Sequence, residues 1–466
     1  MMMREWVYRA LYDVIKKKTY SNLYLKDHLQ EVDPKDQALA SNIFYGTLQN
    51  YDLCRYAWSR FARGKVGLAE AVLLTMSSYQ LLFLDKVPAY AVINDAVKIA
   101  GKIMPAKKGL VNALLRKVSE NPMTYPADPI KALALKSSLP EWLIQLWIKQ
   151  YSPKQAFAFA SSTTKALPVI VRANPHKLSP EEAAAIPRLK PVAWPAADGK
   201  KTGENPDENS EEAPVLYEYL GSQIGRDPLY RSGKISVQDP GSYEIARWAD
   251  VKAGQSVLDL CAAPGTKTMA MAEMAGPKAQ FMARDLHPHR VELIENDARR
   301  LGLSNIQAIA GDSTVVPENP RLYDVVLCDV PCTGYGILAR KPDMKQTLNP
   351  KDIDSLLPVQ KELLEAGAAQ TKPGGTLVYS TCTLDKKENE KQVEAFLENH
   401  PDFEMEKQQT LEPGAYNGGF YLCKLHRKTE DSAAVSKAFD EETPAAGSAS
   451  SAHPAKTDGS DNAAQQ

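Results

Sequence analysis

Residues 256–285 read SVLDLCAAPGTKTMAMAEMAGPKAQFMARD. The apolar run SVLDL passes through a turn of small residues into MAMAEMA, which has a helical pattern, and QFMARD resumes a strand texture. The alternation continues with Tyr323-Asp-Val-Val-Leu-Cys-Asp-Val-Pro-Cys332 and, after another helical stretch, Thr376-Leu-Val-Tyr-Ser-Thr-Cys382. Strand then helix, repeated over residues 236–427, predicts a parallel doubly wound sheet, a Rossmann-like α/β domain.

Such sheets bind ligands at the carboxyl ends of their strands, where a helix N-terminus attracts an anion. The turn Cys261 to Lys267 stands at that place, although an ordinary tight strand-to-helix turn has the same pattern. Leu260 occupies the position where a phosphate loop needs its first glycine, and the GxGxxG spacing is absent, which argues against nucleoside triphosphates and NAD. Asp285 closes the next strand, 26 positions after Asp259, where an acid can accept hydrogen bonds from ribose hydroxyls. Asp312, in Ala-Gly-Asp, closes the third. Each acid alone is as readily a helix cap, but three strands ending alike favour an adenosine-type ligand.

Two further strands carry Cys332 and Cys382 at their carboxyl ends, and right-handed crossovers would make those strands neighbours. Both thiols then open into the ligand crevice, whereas Cys328, in mid-strand, reads as packing. A lone cysteine is more often a small buried hydrophobe than a nucleophile; two in one cleft are harder to dismiss. No CxxC pair or histidine cluster suggests a metal, and His287 and His289 read as loop residues.

The N-terminal part has a different period. Val7, Ala10, Leu11, Val14 and Ile15, then Ala40, Ile43, Phe44, Thr47, Leu48 and Tyr51, recur at helical spacing. Ala69, Val72, Leu73, Met76 and Phe83, and Ala89, Val92, Ile93, Ala96, Val97, Ala100 and Ile103, repeat it, so residues 1–140 are expected to form a helical bundle. Residues 141–235 read as a small α/β connecting module with a helical stretch from Trp142 to Tyr151, a strand at Pro168-Val-Ile-Val-Arg172 and a helix start at Ser179-Pro-Glu-Glu182. Within it, 196–213 is polar and reads as a flexible loop, and 428–466 reads as a disordered tail, dispensable for chemistry.

With 466 residues, 44% of them apolar, the chain can bury two or three cores. Its net charge of -1 excludes a global nucleic-acid signature, leaving local patches such as Lys107, Lys108, Arg116 and Lys117, or Arg340 and Lys341 after Cys332. Most basic pairs are merely solvated surface. Six sparse cysteines fit a reducing cytoplasm, and no apolar run suits a membrane span.

The stretches LDLCAAPGTKT, CDVPCTGYGIL and VYSTCTLDKKENE, in that order, resemble the signatures of the NOL1/NOP2/Sun family of RNA 5-methylcytosine methyltransferases. DQALASNIFYGTL, SSYQLLFLDKVPAYAVINDAVKIA and KGLVNALLRKV resemble a NusB-type RNA-binding domain, found in one bacterial branch that acts on small-subunit (16S) ribosomal RNA. The likeness spans residues 1–427. Thr266 departs from the usual glycine of CAAPGGKT and Val330 from the usual alanine of DAPC, but no reacting group is lost.

The resemblance implies that Cys261, Ala262, Ala263, Pro264, Gly265, Thr266 and Lys267 hold the methionine end of S-adenosylmethionine, Asp285 the ribose and Asp312 the adenine region, with Arg290 a further cofactor contact. Cys382 would be the nucleophile, Cys332 would serve product release, and Asp329 would sit by the methyl group and the base edge. A cysteine is needed because C5 of cytosine is a poor nucleophile until a thiolate adds at C6 and makes it enamine-like. The base must lie in an open RNA segment or be flipped out. The expectation is a metal-free, cytoplasmic, monomeric enzyme with small-subunit ribosomal RNA as partner. The alternatives are cytosine methylation of another RNA and a non-catalytic RNA-binding assembly factor; intact Cys332 and Cys382 argue against the latter.

Overall fold

The computed structural model describes residues 2–194 and 215–429. The loop expected at 196–213 and the expected tail beyond residue 429 lie outside the described residues.

Seven helices come first: α1 (Met3–Lys17), α2 (Ser21–His28), α3 (Gln37–Gln49), α4 (Tyr51–Ser59), α5 (Leu68–Phe83), α6 (Ala89–Ile103) and α7 (Lys108–Glu120). Their apolar stripes meet in one core, in which Leu11, Ile43, Phe44, Leu73, Ile99 and Leu115 are fully buried. Phe83 and Ile103, expected in those stripes, are 42% and 37% exposed, because each ends its helix, beyond the packed faces. Three more helices, α8 (Pro129–Ser137), α9 (Glu141–Gln150) and α10 (Pro153–Ser162), pack through Leu143, Trp147 and Phe159 against Tyr335, Leu338 and Leu384. Trp147 Nε1 also donates to the Leu384 carbonyl at 2.9 Å. These helices therefore support the segments that follow Cys332 and Cys382.

A four-stranded antiparallel sheet comes next, ordered β2-β3-β1-β4: β1 (Ile170–Ala173), β2 (Leu189–Pro191), β3 (Leu216–Tyr219) and β4 (Ile235–Val237). Between its strands lie α11 (Pro180–Ala184), opened by a Ser179–Glu182 capping box, and α12 (Pro228–Arg231).

The rest is the α/β domain. It comprises α13 (Pro240–Trp248), β5 (Ser256–Asp259), α14 (Thr266–Ala275), β6 (Gln280–Asp285), α15 (Pro288–Leu301), β7 (Ile306–Ala310), β8 (Tyr323–Asp329), α16 (Lys351–Ala369), β9 (Thr371–Thr381), α17 (Glu390–Asn399), β10 (Phe403–Leu411) and β11 (Phe420–Arg427). The seven-stranded sheet has the order β10-β11-β9-β8-β5-β6-β7, with β5, β6, β7, β8 and β9 parallel. The fold is Rossmann-like, as the strand–helix alternation predicts. It departs from an all-parallel sheet at β10 and β11, which pair antiparallel because their short connection cannot make a crossover. Chain order reverses between β5 and β8, and a crevice forms at that switch point.

Two buried cations join the layers. Arg172 of β1 pairs with Glu273 of α14 at 2.8 Å, both side chains nearly inaccessible. Lys345, in the turn after Cys332, donates from Nζ to the carbonyls of Gln49 at 2.9 Å, Ser137 at 2.8 Å and Thr163 at 2.8 Å. Those carbonyls close α3, α8 and α10, so three negative helix ends converge on one amino group, which burial pulls down to about 7 against the charge of Asp52. Lys345→Met would strand the Gln49 and Ser137 carbonyls, whereas that of Thr163 keeps the Gln49 Nε2 donor. We expect a loss of about 3 kcal/mol of stability, read as a lower urea midpoint; an unchanged midpoint would deny the clamp any contribution.

Candidate active site

The turn after β5 is shaped by Gly265, whose φ of +103° lies in the left-handed region, where a side chain would be strained. A Cβ there would also come within 3.2 Å of Met269 Cε. Gly265 is the N-cap of α14, and the small residues Ala262 and Ala263 leave room beside that positive helix end. Asp285, buried at the end of β6, accepts from the Ala263 N–H at 3.3 Å and the His287 N–H at 3.2 Å, and pairs with Arg290 at 3.2 Å. Arg290 in turn donates to the Ala263 carbonyl at 2.8 Å. Asp285 and Arg290 thus hold one residue of the turn, Ala263, by its N–H and its carbonyl. Asp312 stands apart, exposed two residues beyond β7; bonds from the Thr314 hydroxyl and N–H hold its carboxyl below the ordinary range.

Asp259, at the end of β5, escaped the sequence reading as a functional group although it closes the SVLD strand. It accepts from the Thr268 hydroxyl at 2.6 Å and, at 3.4 Å, from the Cys261 N–H. Burial, with the charge of Asp329 nearby, pushes its carboxyl up to about 7.

The parallel pairing of β8 and β9 sets Asp329 opposite Ser380 and brings the two strand ends together. Asp329 is bound by Lys267 Nζ at 2.6 Å and by the Ser380 hydroxyl at 2.9 Å. Just beyond, Cys332 Sγ and Cys382 Sγ lie 3.3 Å apart, and the Cys382 N–H points to Cys332 Sγ at 3.3 Å. The hydrogen bond from Cys332 pulls the Cys382 thiol down, and the Lys341 and Lys267 charges help; burial and Asp329 oppose. The same bond, burial and Glu388 push Cys332 well above the ordinary thiol range. Of the two, Cys382 is the sulfur favoured as thiolate. Cys328, expected as packing, is fully buried in the sheet core.

The residues expected to be chemical therefore fall into two groups across the crevice, Cys261–Lys267 with Asp285 and Arg290 on one side and Asp329, Cys332 and Cys382 on the other, joined by the Lys267–Asp329 pair. Arg340, read as a backbone contact for RNA, is instead committed inside the protein. It pairs with Asp239 at 2.5 Å and donates to the carbonyls of Pro168 and Tyr416 at 3.0 and 2.7 Å. Lys341 beside it remains exposed. Lys107, Lys108, Arg116 and Lys117 are exposed as well.

Gly336 meets the back of the nucleophile segment. Its N–H donates to the Cys382 carbonyl at 3.1 Å, and a Cβ on it would fall 2.0 Å from the Gly419 carbonyl oxygen and 2.9 Å from that of Cys382. No rotamer change relieves a clash between backbones, so Gly336→Ala is expected to displace Cys382 and reduce activity at least about 100-fold, as small misplacements of reacting groups do. Wild-type turnover by the variant would show the contact to be slack.

Among the described residues, no group of three or more His, Cys, Asp or Glu could hold a metal ion, and no helix is long and apolar enough to cross a membrane.

Comparison with known proteins places this arrangement. Residues 246–434 match the family model for the 16S rRNA methyltransferase RsmB/F, and residues 1–120 that of the NusB family. The chain is 33% identical over 454 residues to the probable ribosomal RNA small subunit methyltransferase B of Bacillus subtilis, covering 91% of this chain and 98% of that one. It is 30% identical to ribosomal RNA small subunit methyltransferase B of Vibrio cholerae, with 90% and 96% covered. The solved structure of PH0851 superposes with a TM-score of 0.75 at 23% identity, covering 92% of this chain and 99% of that one. NSun6 from Pyrococcus horikoshii, solved with SFG, gives 0.52 at 19% identity, covering 63% of this chain and 99% of that one. These matches make the chain a methyltransferase. The chain belongs to the ribosomal RNA small subunit methyltransferase B family, with a NusB domain ahead of the methyltransferase domain.

Proposed function

We propose that this methyltransferase places a methyl group on C5 of a cytosine in small-subunit (16S) ribosomal RNA, with Cys382 as covalent nucleophile and S-adenosylmethionine as methyl donor. The observation that carries the reading is the thiol pair, Cys332 Sγ 3.3 Å from Cys382 Sγ, at the ends of adjacent parallel strands beside Asp329. The names of the relatives support the substrate.

The donor fits the turn Cys261 to Lys267: small side chains and a positive helix end can take its carboxylate, with Asp285, Arg290 and Asp312 for the adenosine part. When bound, S-adenosylmethionine supplies an electrophilic methyl group. Cys382 thiolate adds to C6 of the cytosine, which makes C5 nucleophilic. Asp329, paired with Lys267, meets the N3 and N4 edge and shares a proton or hydrogen bond there, which relieves the negative charge that builds on the ring during addition. After transfer a general base takes the C5 proton, the pair left on C5 re-forms the C5–C6 double bond, and the C6–sulfur bond breaks with its electrons on Cys382, which departs as thiolate; Cys332 assists this release. Residues 1–140 would hold the RNA, 141–235 connect, and 236–427 catalyse. The protein would act as a monomer in the cytoplasm.

Incubation with methyl-labelled S-adenosylmethionine and 16S RNA, followed by nucleoside analysis, tests the reading. Label in 5-methylcytidine is expected; label in another nucleoside, or none, would overturn it.

A further inference from the structure

The segment after Cys382, Leu384-Asp-Lys-Lys-Glu-Asn389, places Asp385, Glu388 and Asn389 where none is accessible to solvent, and the mechanism above uses none of them. Asn389 grips both neighbours of the nucleophile: its Oδ1 accepts from the Thr381 hydroxyl at 2.6 Å and its Nδ2 donates to the Thr383 carbonyl at 3.1 Å. Glu388 grips the other thiol's segment. One carboxylate oxygen accepts from the Thr333 N–H at 2.9 Å and from Gln360 Nε2 at 2.9 Å; the other meets the Thr333 hydroxyl. Gln360 also donates to the Pro331 carbonyl at 2.9 Å, so both flanks of Cys332 are tied. The Thr333 and Thr383 hydroxyls then meet at 2.7 Å and link the two halves.

From this arrangement we infer that Glu388 and Asn389 are positioning residues of the thiol pair: adjacent side chains that hold Cys332 and Cys382 at hydrogen-bonding distance. The β8–β9 pairing brings the strand ends together as far as Asp329 and Ser380, and beyond it this network ties the two segments that carry the sulfurs, 3.3 Å apart. Neither side chain touches the reacting atoms. Glu388 acts as an acceptor, and glutamine can serve the same partners: its carbonyl oxygen takes the Thr333 and Gln360 donors, and its amide donates to the Thr333 hydroxyl. Leucine cannot, and it would leave the Thr333 N–H buried without an acceptor.

The inference rests on the proposed covalent chemistry for its importance, but its test begins without RNA. Full-length Glu388→Leu and Glu388→Gln are treated with iodoacetamide at pH 7, and labelling of the Cys382 peptide is followed by mass spectrometry, with the same peptide alkylated in the unfolded protein as the reference. In Glu388→Leu, alkylation of Cys382 should slow about tenfold, as for a thiol holding its proton one pH unit more tightly. Cofactor affinity should stay within about twofold, and Glu388→Gln should restore the wild-type rate. Thr333→Val cuts the same network at its middle, should also slow Cys382, and serves if Glu388→Leu does not fold. Unchanged Cys382 labelling in a folded Glu388→Leu or Thr333→Val would overturn the inference, as would a Glu388→Gln as slow as the leucine variant. Added RNA separates the two claims. Slowed labelling, with no covalent RNA adduct in Cys332→Ala, the variant expected to retain one, would leave the positioning role standing and refute the covalent reading.

Discussion

Cys382→Ala is expected to abolish methyl transfer, by about 10⁴-fold or more, while leaving the fold and cofactor binding in place, because a nucleophile removed from a covalent mechanism leaves only binding and orientation. The side chain is only partly buried and its sulfur contacts Cys332, so trimming it should cost about 1 kcal/mol of stability at most. The turn Cys261 to Lys267, across the crevice, keeps its own bonds to Asp285 and Arg290. Transfer of labelled methyl to RNA by the purified variant, at a rate within tenfold of wild type, would refute Cys382 as nucleophile. Binding of S-adenosylmethionine, measured by titration calorimetry, should be the same for both proteins.

Cys332→Ala should give the opposite picture: addition continues, release fails, and a protein–RNA adduct carrying labelled methyl accumulates to a large share of the enzyme. The geometry adds a second expectation. Cys332 is the first cause of the lowered Cys382 thiol, so its removal should shift the pH dependence of adduct formation upward, leaving Lys341 and Lys267 to hold the thiolate. The sign follows from the direction: a donor that favours the thiolate is lost, so deprotonation needs higher pH. A denaturing gel over a pH series reads both effects. No shifted, labelled band at any pH would sink the division of labour between the two thiols.

Most of the α/β domain was legible along the chain, because a strand–helix period is local and strand ends at a parallel sheet face one crevice whatever their partners. The motifs pointed to Cys332, Cys382, Asp329 and the 261–267 turn, and the structure brings these together. Asp312 shows how far that logic reaches. It follows its strand as expected, yet its recorded bonds are to Thr314, within its own turn.

By itself, then, the sequence determined the class of fold and the helical domain in front of it, which follow from periodicity, and it named candidates for the chemical groups from strand ends, short motifs and the family resemblance. Tertiary structure decided which of those groups are held and by what. Arg340, a surface cation by pattern, is spent on Asp239 and two carbonyls from distant segments. Lys345 is an ordinary lysine in the sequence and becomes a clamp only where α3, α8 and α10 end together. Glu388 and Asn389 look like solvated charge and polarity in KKENE and are fully buried beside the thiols. The physical reason is the same in each case: burying a charge or an amide requires partners that satisfy it. Those partners come from parts of the chain whose proximity no local pattern records.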